Sequence, residues 1–196
     1  DQLRLRDRLA TLGEMSAGLA HEIRNPLGSI KGAAQLLEAN DELKGEAKEM
    51  LEIISSEVSH LDRTMQGFLD YARPSNLRRT TVDPVDFLNA ARRQLGEELE
   101  LETEGELAPI ALDPDRILQV LRNLVRNAKE AAPGGLVTLA ARDQGDQLLL
   151  EILDRGPGIS DELREQLFIP FVTSKSGGTG LGLAISQRIV KDHRGR

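Results

Sequence analysis

The run His21-Glu22-Ile23-Arg24-Asn25-Pro26 brings a nucleophile, a base and a neutral amide within a few residues of each other. A neutral imidazole can attack phosphorus, and an unperturbed histidine is largely neutral at about pH 7. The adjacent Glu22 carboxylate can orient the ring and take its proton. Asn25 follows one turn later on the same helical face, where its amide can hold a water without adding charge. Pro26 removes a backbone hydrogen bond and loosens the helix beside the nucleophile. A plain surface helix with a proline in it fits the same residues.

Three further groups suit a phosphorylated ligand. Asn123 and Asn127 are four apart in Asn123-Leu124-Val125-Arg126-Asn127-Ala128-Lys129-Glu130-Ala131, so they share a helix face. An amide oxygen is a hard, neutral ligand suited to Mg²⁺, and Arg126 and Lys129 can reach phosphates. In Asp154-Arg155-Gly156-Pro157-Gly158-Ile159 the glycines allow close backbone approach to a planar ligand, and Asp154 can accept from an exocyclic amino group such as that of adenine. Gly177-Gly178-Thr179-Gly180-Leu181-Gly182-Leu183 opens a helix whose free amides can bind phosphate oxygens. It is neither the dinucleotide nor the Walker pattern. Phe168 and Phe171 ahead of it suggest a hydrophobic anchor for a mobile loop. Taken one at a time, a polar surface stripe, a turn after a strand and core packing explain these groups as well.

The elements that must position these residues fall into two halves. Over residues 1–73, Leu5, Leu9, Leu12, Ser16, Leu19, Ile23 and Ile30 follow heptad spacing, and Leu43, Ala47, Met50, Ile54, Leu61 and Phe68 form a second seam. Asn40 and Asp41 mark a turn between them, and Pro74 ends the second helix. This is a helical hairpin with too little core of its own. Pairing two copies gives a dimeric four-helix bundle, so a homodimer is expected. With Leu19 and Ile23 on the buried seam, His21 faces solvent. Residues 74–81 read as a polar linker. From 82 to 196, helix and strand alternate. Helices are expected from Asp83-Pro84 to Leu95, from Asp113-Pro114 to the Pro133-Gly134-Gly135 break, over Asp161–Leu167 and near Leu181–Val190. Strands are expected at 98–103, 108–112, 136–142 and 147–153, the last two joined by a turn at 143–146. The class is thus α + α/β: a helical hairpin, then a sheet with helices on one face.

Composition excludes other classes. The net charge of −7 and 3% aromatic content argue against nucleic acid as a partner. With no cysteine there is no disulfide frame or thiol nucleophile, and the three histidines lack zinc-ligand spacing. No run has the length of a membrane-spanning helix and no signal peptide is visible, so this fragment is expected to be soluble and free of membrane contact.

In their order and spacing these motifs resemble the sensor histidine kinases of two-component systems over essentially the whole sequence. GEMSAGLAHEIRNPLGSIKG is similar to the family's phosphoacceptor box and LRNLVRNAKEA to its asparagine box. DRGPGI and GGTGLGLAI resemble its two glycine boxes, and LFIPFVTSK its phenylalanine box. The style of these boxes is similar to that of the nitrogen-regulatory branch. The resemblance implies a dimerisation and phosphotransfer domain (1–73), a linker (74–81) and a sandwich-type catalytic ATP-binding domain (82–196). His21 would be phosphorylated from ATP and would pass the phosphoryl group to an aspartate of a response-regulator receiver domain. Glu22 would be its acid/base partner, and Asn25 would position water for dephosphorylating the regulator. Asn127 would coordinate Mg²⁺, with Asn123 supporting the nucleotide site and Asp154 binding the adenine amino group. Gly156, Gly158, Gly178, Gly180 and Gly182 would shape the ATP pocket, and Lys175 and Thr179 would reach phosphates.

The implied location is cytoplasmic, in a parent that can be membrane-anchored and carries an upstream sensory domain absent from this sequence. The family continues after His-Gly-Gly into further strands, whereas this sequence stops at Asp192-His193-Arg194-Gly195-Arg196, so the ATP-binding domain is expected to be truncated. Two other classes compete. One is an ATP-driven conformational machine of gyrase or chaperone type, which lacks a hairpin bearing His-Glu-x-x-Asn-Pro. The other is a non-catalytic dimeric scaffold, against which the intact nucleotide motifs argue.

Overall fold

A computed structural model describes residues 23, 25, 27–37, 45–72, 76–96, 98–145, 147–175 and 178–196. The chain divides into two compact units: Asp1–Pro74 with Phe171–Leu181, and Ser75–Pro170 with Gly182–Arg196. His21, Glu22, Pro26, the seam upstream of Ile23, and the turn expected at Asn40 and Asp41 lie outside the described residues.

The described residues of the Asp1–Pro74 stretch are mostly helical. Helix α1 covers residues 27–37, with Ile23 and Asn25 also helical, and α2 covers Glu46–Ala72. Helix α2 carries two apolar stripes where the sequence suggested one. Val58 is buried, and Leu51, Ser55, Met65 and Leu69, at heptad offsets from it, are half-buried. The expected seam is the other stripe, and in the single chain it is open: Met50 is 62% exposed, and Ile54 and Leu61 are also exposed. Helix α1 repeats the arrangement, with Ala34 buried while Ile30 and Leu37, seven apart, are exposed. A helix with two apolar stripes can face two neighbours at once, as helices in a four-helix bundle do. Near the end of α2, Gly67 leaves room for a side chain to settle. A Cβ placed there would meet Leu181 Cδ1 at 3.1 Å, and Leu181 is fully buried.

The second unit contains two small sheets. Strand β1 (Thr80–Val82) pairs antiparallel with β3 (Ile110–Leu112). Strand β2 (Glu100–Glu104) pairs parallel with β4 (Thr138–Asp143), which pairs antiparallel with β5 (Leu148–Leu153). The β4–β5 hairpin closes where Gly145, at φ +85, donates to Asp143 Oδ1 at 2.6 Å. Parallel neighbours need a crossover, and α4 (Pro114–Ala131) supplies it for β2 and β4. Its buried residues, Ile117, Val120, Leu121, Val125 and Ala128, follow helical spacing and make one apolar face. Val125 and Ala128 join Leu99 and Val137 in the core, with Leu95 and Ile152 packed against them.

Helix α3 (Pro84–Leu95) starts where expected, with the Asp83 carboxylate accepting from the N–H groups of Val85 and Asp86. Two expectations change. Thr80 and Thr81, read as linker, are strand, because their backbone pairs with Leu112 and Ala111. The helix expected over Asp161–Leu167 is one turn, α5 (Asp161–Arg164), capped by Ser160. None of its residues is buried, so no packing extends it past the capping turn. The closing helix is α6 (Gly182–Asp192).

Asp113 is the buried N-cap of α4. Its Oδ1 accepts from Arg116 N–H at 3.1 Å and its Oδ2 from Arg78 N–H at 2.7 Å. Burial pushes this carboxyl up, but the two backbone donors and the Arg116 charge outweigh it and hold the group below the usual aspartate range. The stabilisation is therefore complete above the ordinary aspartate value of about 4, and is lost as pH falls through the depressed folded value. Asp113→Asn turns one acceptor into a donor facing an N–H group. It should cost about 1–3 kcal/mol at neutral pH. Urea unfolding followed by circular dichroism should show this loss, and the gap from the parent should narrow as pH is lowered below about 4.

Candidate functional site

The two asparagines of α4 sit on its half-exposed side. Asn123 Nδ2 donates to Gly182 O at 3.2 Å and to the buried Ser186 Oγ at 3.4 Å. Asn123 therefore holds the first turns of α6 against α4. Asn127 is one turn further on the same face, and Ala131 one turn beyond that. The spacing carries the site directly to the loop after β5. A Cβ on Gly156 would lie 2.9 Å from Ala131 Cβ and 2.8 Å from Asp154 Oδ1. Only the absence of a side chain at Gly156 lets this loop close against the end of α4.

Asp154 turns the loop itself, its Oδ1 accepting from Gly156 N–H at 2.8 Å. The residue is exposed, so the carboxylate can offer its other oxygen to a donor. Gly158 continues the loop at φ +79 with nothing near its Cβ position. Asn123, Asn127, Asp154, Gly156, Gly158 and Gly182 thus belong to one unit and are joined through α4. They present a hard amide oxygen, a carboxylate acceptor and the N-terminus of an 11-residue helix, which suits an anionic ligand with an amino-bearing ring.

The cations of α4 divide. Arg126 lies beside α6, its Nη2 being 3.5 Å from where a Gly182 Cβ would stand. It also makes a loose pair with Glu130 at 3.9 Å. Lys129, expected to reach phosphates, instead donates to Leu95 O at 3.0 Å and to Glu98. The hydrogen bond from Lys129 holds the Glu98 carboxyl below the usual glutamate range. The competing partner is 31 residues away in sequence, which a local motif cannot reveal.

Lys175, Gly178, Thr179 and Gly180 fall in the segment Phe171–Leu181, which belongs to the first unit. This segment has its own closure. Phe171 N–H donates to Gly180 O at 3.1 Å, and Gly180, at φ +65, leaves no room for a Cβ, which would come 2.5 Å from Phe171 C. Thr173 Oγ1 accepts from Lys175 N–H at 3.1 Å, Gly178 N–H donates to Lys175 O at 3.2 Å, and Leu181 N–H donates to Thr179 Oγ1 at 3.4 Å. The two phenylalanines are not buried anchors: Phe168 is 47% and Phe171 52% exposed. Phe171 holds φ +67 and turns the chain at the neck of the loop.

In the first unit Asn25 is helical and exposed, while Ile23 is half-buried. Sequence reasoning missed Ala131 and Ser186 as parts of the site. Ala131 was legible as the third member of the series 123, 127, 131; Ser186 had no local signal.

Among the described residues, no group of three or more His, Asp or Glu side chains could hold a metal ion by itself. A donor set of one amide fits Mg²⁺ that arrives with a nucleotide, because that ion takes most of its ligands from phosphates and water. No helix among the described residues is long and apolar enough to cross a membrane.

Two family models match the chain. "His Kinase A (phospho-acceptor) domain" covers residues 11–77, and "Histidine kinase-, DNA gyrase B-, and HSP90-like ATPase" covers residues 112–196. Sensor histidine kinase ZraS of Escherichia coli O157:H7 is 34% identical over 203 residues, covering 100% of this chain and 44% of the relative. The chain thus spans less than half the length of that curated relative. Full-length ShkA in complex with AMPPNP has a TM-score of 0.71 at 28% identity, covering 91% of this chain and 40% of that one. Histidine kinase ThkA in complex with response regulator protein TrrA has a TM-score of 0.66 at 31% identity, covering 97% and 57%. The ThkA catalytic domain alone has a TM-score of 0.54 at 32% identity, covering 59% and 82%.

The geometry distinguishes two glycines of the loop after β5. Gly156→Ala forces a methyl against Ala131 and should destabilise the second unit by about 1–3 kcal/mol. Gly158→Ala meets no atom and carries only the left-handed backbone penalty, about 1 kcal/mol. Paired denaturation curves check this order, and a smaller loss for Gly156→Ala would contradict the close approach.

Proposed function

The chain belongs to the sensor histidine kinases, and from that membership we propose that it transfers the γ-phosphoryl group of ATP to His21 and then to an aspartate of a response-regulator receiver domain. The observation that carries this reading is the close approach of Gly156 and the Asp154 turn to Ala131, at the end of the α4 face that bears Asn123 and Asn127. The His-Glu-x-x-Asn-Pro run lies inside the stretch matched by the phosphoacceptor model.

Asp154 accepts from the adenine amino group with the oxygen that Gly156 leaves open. The amides at the start of α6, held by Asn123, take up phosphate oxygens, with Arg126 beside them. Asn127 would hold Mg²⁺, which would supply neutralisation of phosphate charge. The imidazole of His21 attacks the γ-phosphorus, the bond from phosphorus to the ADP oxygen breaks, and Glu22 takes the ring proton. The phosphoryl group then passes to the regulator carboxylate.

The exposed heptad stripes of α1 and α2 support a homodimer, since Ile30 with Leu37 and Met50 with Ile54 and Leu61 would otherwise remain in water. A cytoplasmic location fits the use of ATP and a receiver-domain partner. An upstream sensory region would govern it.

Incubation with γ-labelled ATP and Mg²⁺ tests the reading. Label should appear on His21 and be lost in acid, as a phosphoramidate requires. His21→Gln should carry none while remaining dimeric in sedimentation. Acid-stable label, or label persisting in His21→Gln, would favour the ATP-driven machine instead.

We also propose that Asn25 serves the reverse activity. It is helical and exposed, four residues beyond His21 in sequence, and its amide can align a water toward a phosphorylated regulator without competing as a nucleophile. Asn25→Ala should keep most autophosphorylation and lose most regulator dephosphorylation. A wild-type rate of phosphate release from the regulator would remove Asn25 from that role.

A further inference from the structure

Helices α4 and α6 lie in contact, and each buries apolar side chains, among them Val120 and Leu121 on one and Ile185 and Ile189 on the other. Apolar contact is non-directional, so it does not by itself fix how far one helix has slid along the other. Hydrogen bonds fix that, and the described residues supply them near both ends of α6. At the start of α6, Asn123 Nδ2 donates to Gly182 O and Ser186 Oγ. At its end, His193 Nε2 accepts from the backbone N–H of Asp113 at 3.0 Å.

His193 is suited to this by its own tautomer. Its Nδ1 lies 2.8 Å from Ile189 O, and a carbonyl can only accept, so Nδ1 carries the proton and Nε2 keeps its lone pair. The bond matters to Asp113, because the N–H of an N-cap residue has no partner within its helix. Ten residues of α4 separate Asp113 from Asn123, about 15 Å at the helical rise. Eleven residues separate Gly182 from His193, about 16 Å. The two attachments therefore close the ends of one antiparallel helix pair. Arg79, whose Nη2 donates to Asp192 O at 2.7 Å, fastens the same end of α6.

We propose that His193 is a positioning residue for the nucleotide site. By clamping the far end of α6 to the start of α4, it keeps the amides of the first turn of α6 in register with Asn123 and Asn127. The inference rests on the nucleotide reading above and deepens it. A slip of one residue moves the first turn by about 1.5 Å, and misplacements of that size are enough to cost large factors in catalysis.

Three variants test this: His193→Ala, His193→Met, which keeps bulk without a strong acceptor, and His193→Gln, whose Oε1 can accept from Asp113 N–H. Each is measured below its unfolding transition for autophosphorylation and for binding of a non-hydrolysable ATP analogue. Ala and Met should raise KM for ATP at least about ten-fold with a smaller change in kcat, and Gln should recover most of the loss. Wild-type KM in both Ala and Met, or a Gln variant as impaired as Met, overturns the assignment. Amide exchange at residues 183–187 reads the clamp without nucleotide. Faster exchange there in Met than in Gln supports the clamp, and equal exchange overturns it. A parent protein that binds no nucleotide but shows this exchange difference separates failure of the functional reading from failure of the clamp.

Discussion

Helix α4 is capped by a residue whose polar groups tie its first turn to two other stretches of chain. One Asp113 oxygen takes the first turn of α4, the other takes the backbone at Arg78 just ahead of β1, and the N–H reaches His193 beyond α6. Each bond alone is a modest contribution, on the order of 1–2 kcal/mol. Together they decide where α4 starts, and α4 carries both asparagines, the crossover between β2 and β4, and Ala131 against the loop after β5. A buried carboxylate with unfilled acceptors would be costly; here the donors are backbone N–H groups whose positions vary little with side-chain motion.

The same helix separates structure from chemistry by face. Its apolar face holds the core with Leu99 and Val137, and its amide face is left half-exposed. The cations at its edge are sorted by neighbours rather than by type. Lys129 is drawn to Glu98 and a helix-terminal carbonyl, whereas Arg126 stays near the start of α6. Two residues of similar charge, three apart, thereby reach different surroundings.

Much of this was legible in sequence because it is local. The Asp-Pro pairs before α3 and α4, the four-residue spacing of the asparagines and the turn between β4 and β5 all act within a few residues. The heptad pattern of α2 was legible as apolar periodicity. It did not reveal that a single chain covers the stripe through Val58 and leaves the one through Ile54 open. What escaped was long-range. The strand at Thr80–Val82 exists because β3 pairs with it, and a polar run gave no sign of that. Helix α5 stops after a turn for want of packing. The bonds of Asn123 to Ser186 and of His193 to Asp113 join residues 63 and 80 positions apart, beyond the reach of any motif window.

The parallel pairing of β2 with β4 bears on the order in which the chain can organise. The hairpin of β4 and β5 closes over a few residues, and α2 needs only neighbours along one helix. Strand β2 can meet β4 only after the whole of β3 and α4 has been traversed. The bonds that tie α6 to α4 close loops of 59 to 80 residues. Loop closure becomes entropically harder with length, and non-local contacts form late in folding. The segment that receives α6 is thus built before α6 has docked. Between those events the apolar face of α4 that α6 will cover stands open, making undocked α6 the step at which this chain is most exposed to capture by other chains.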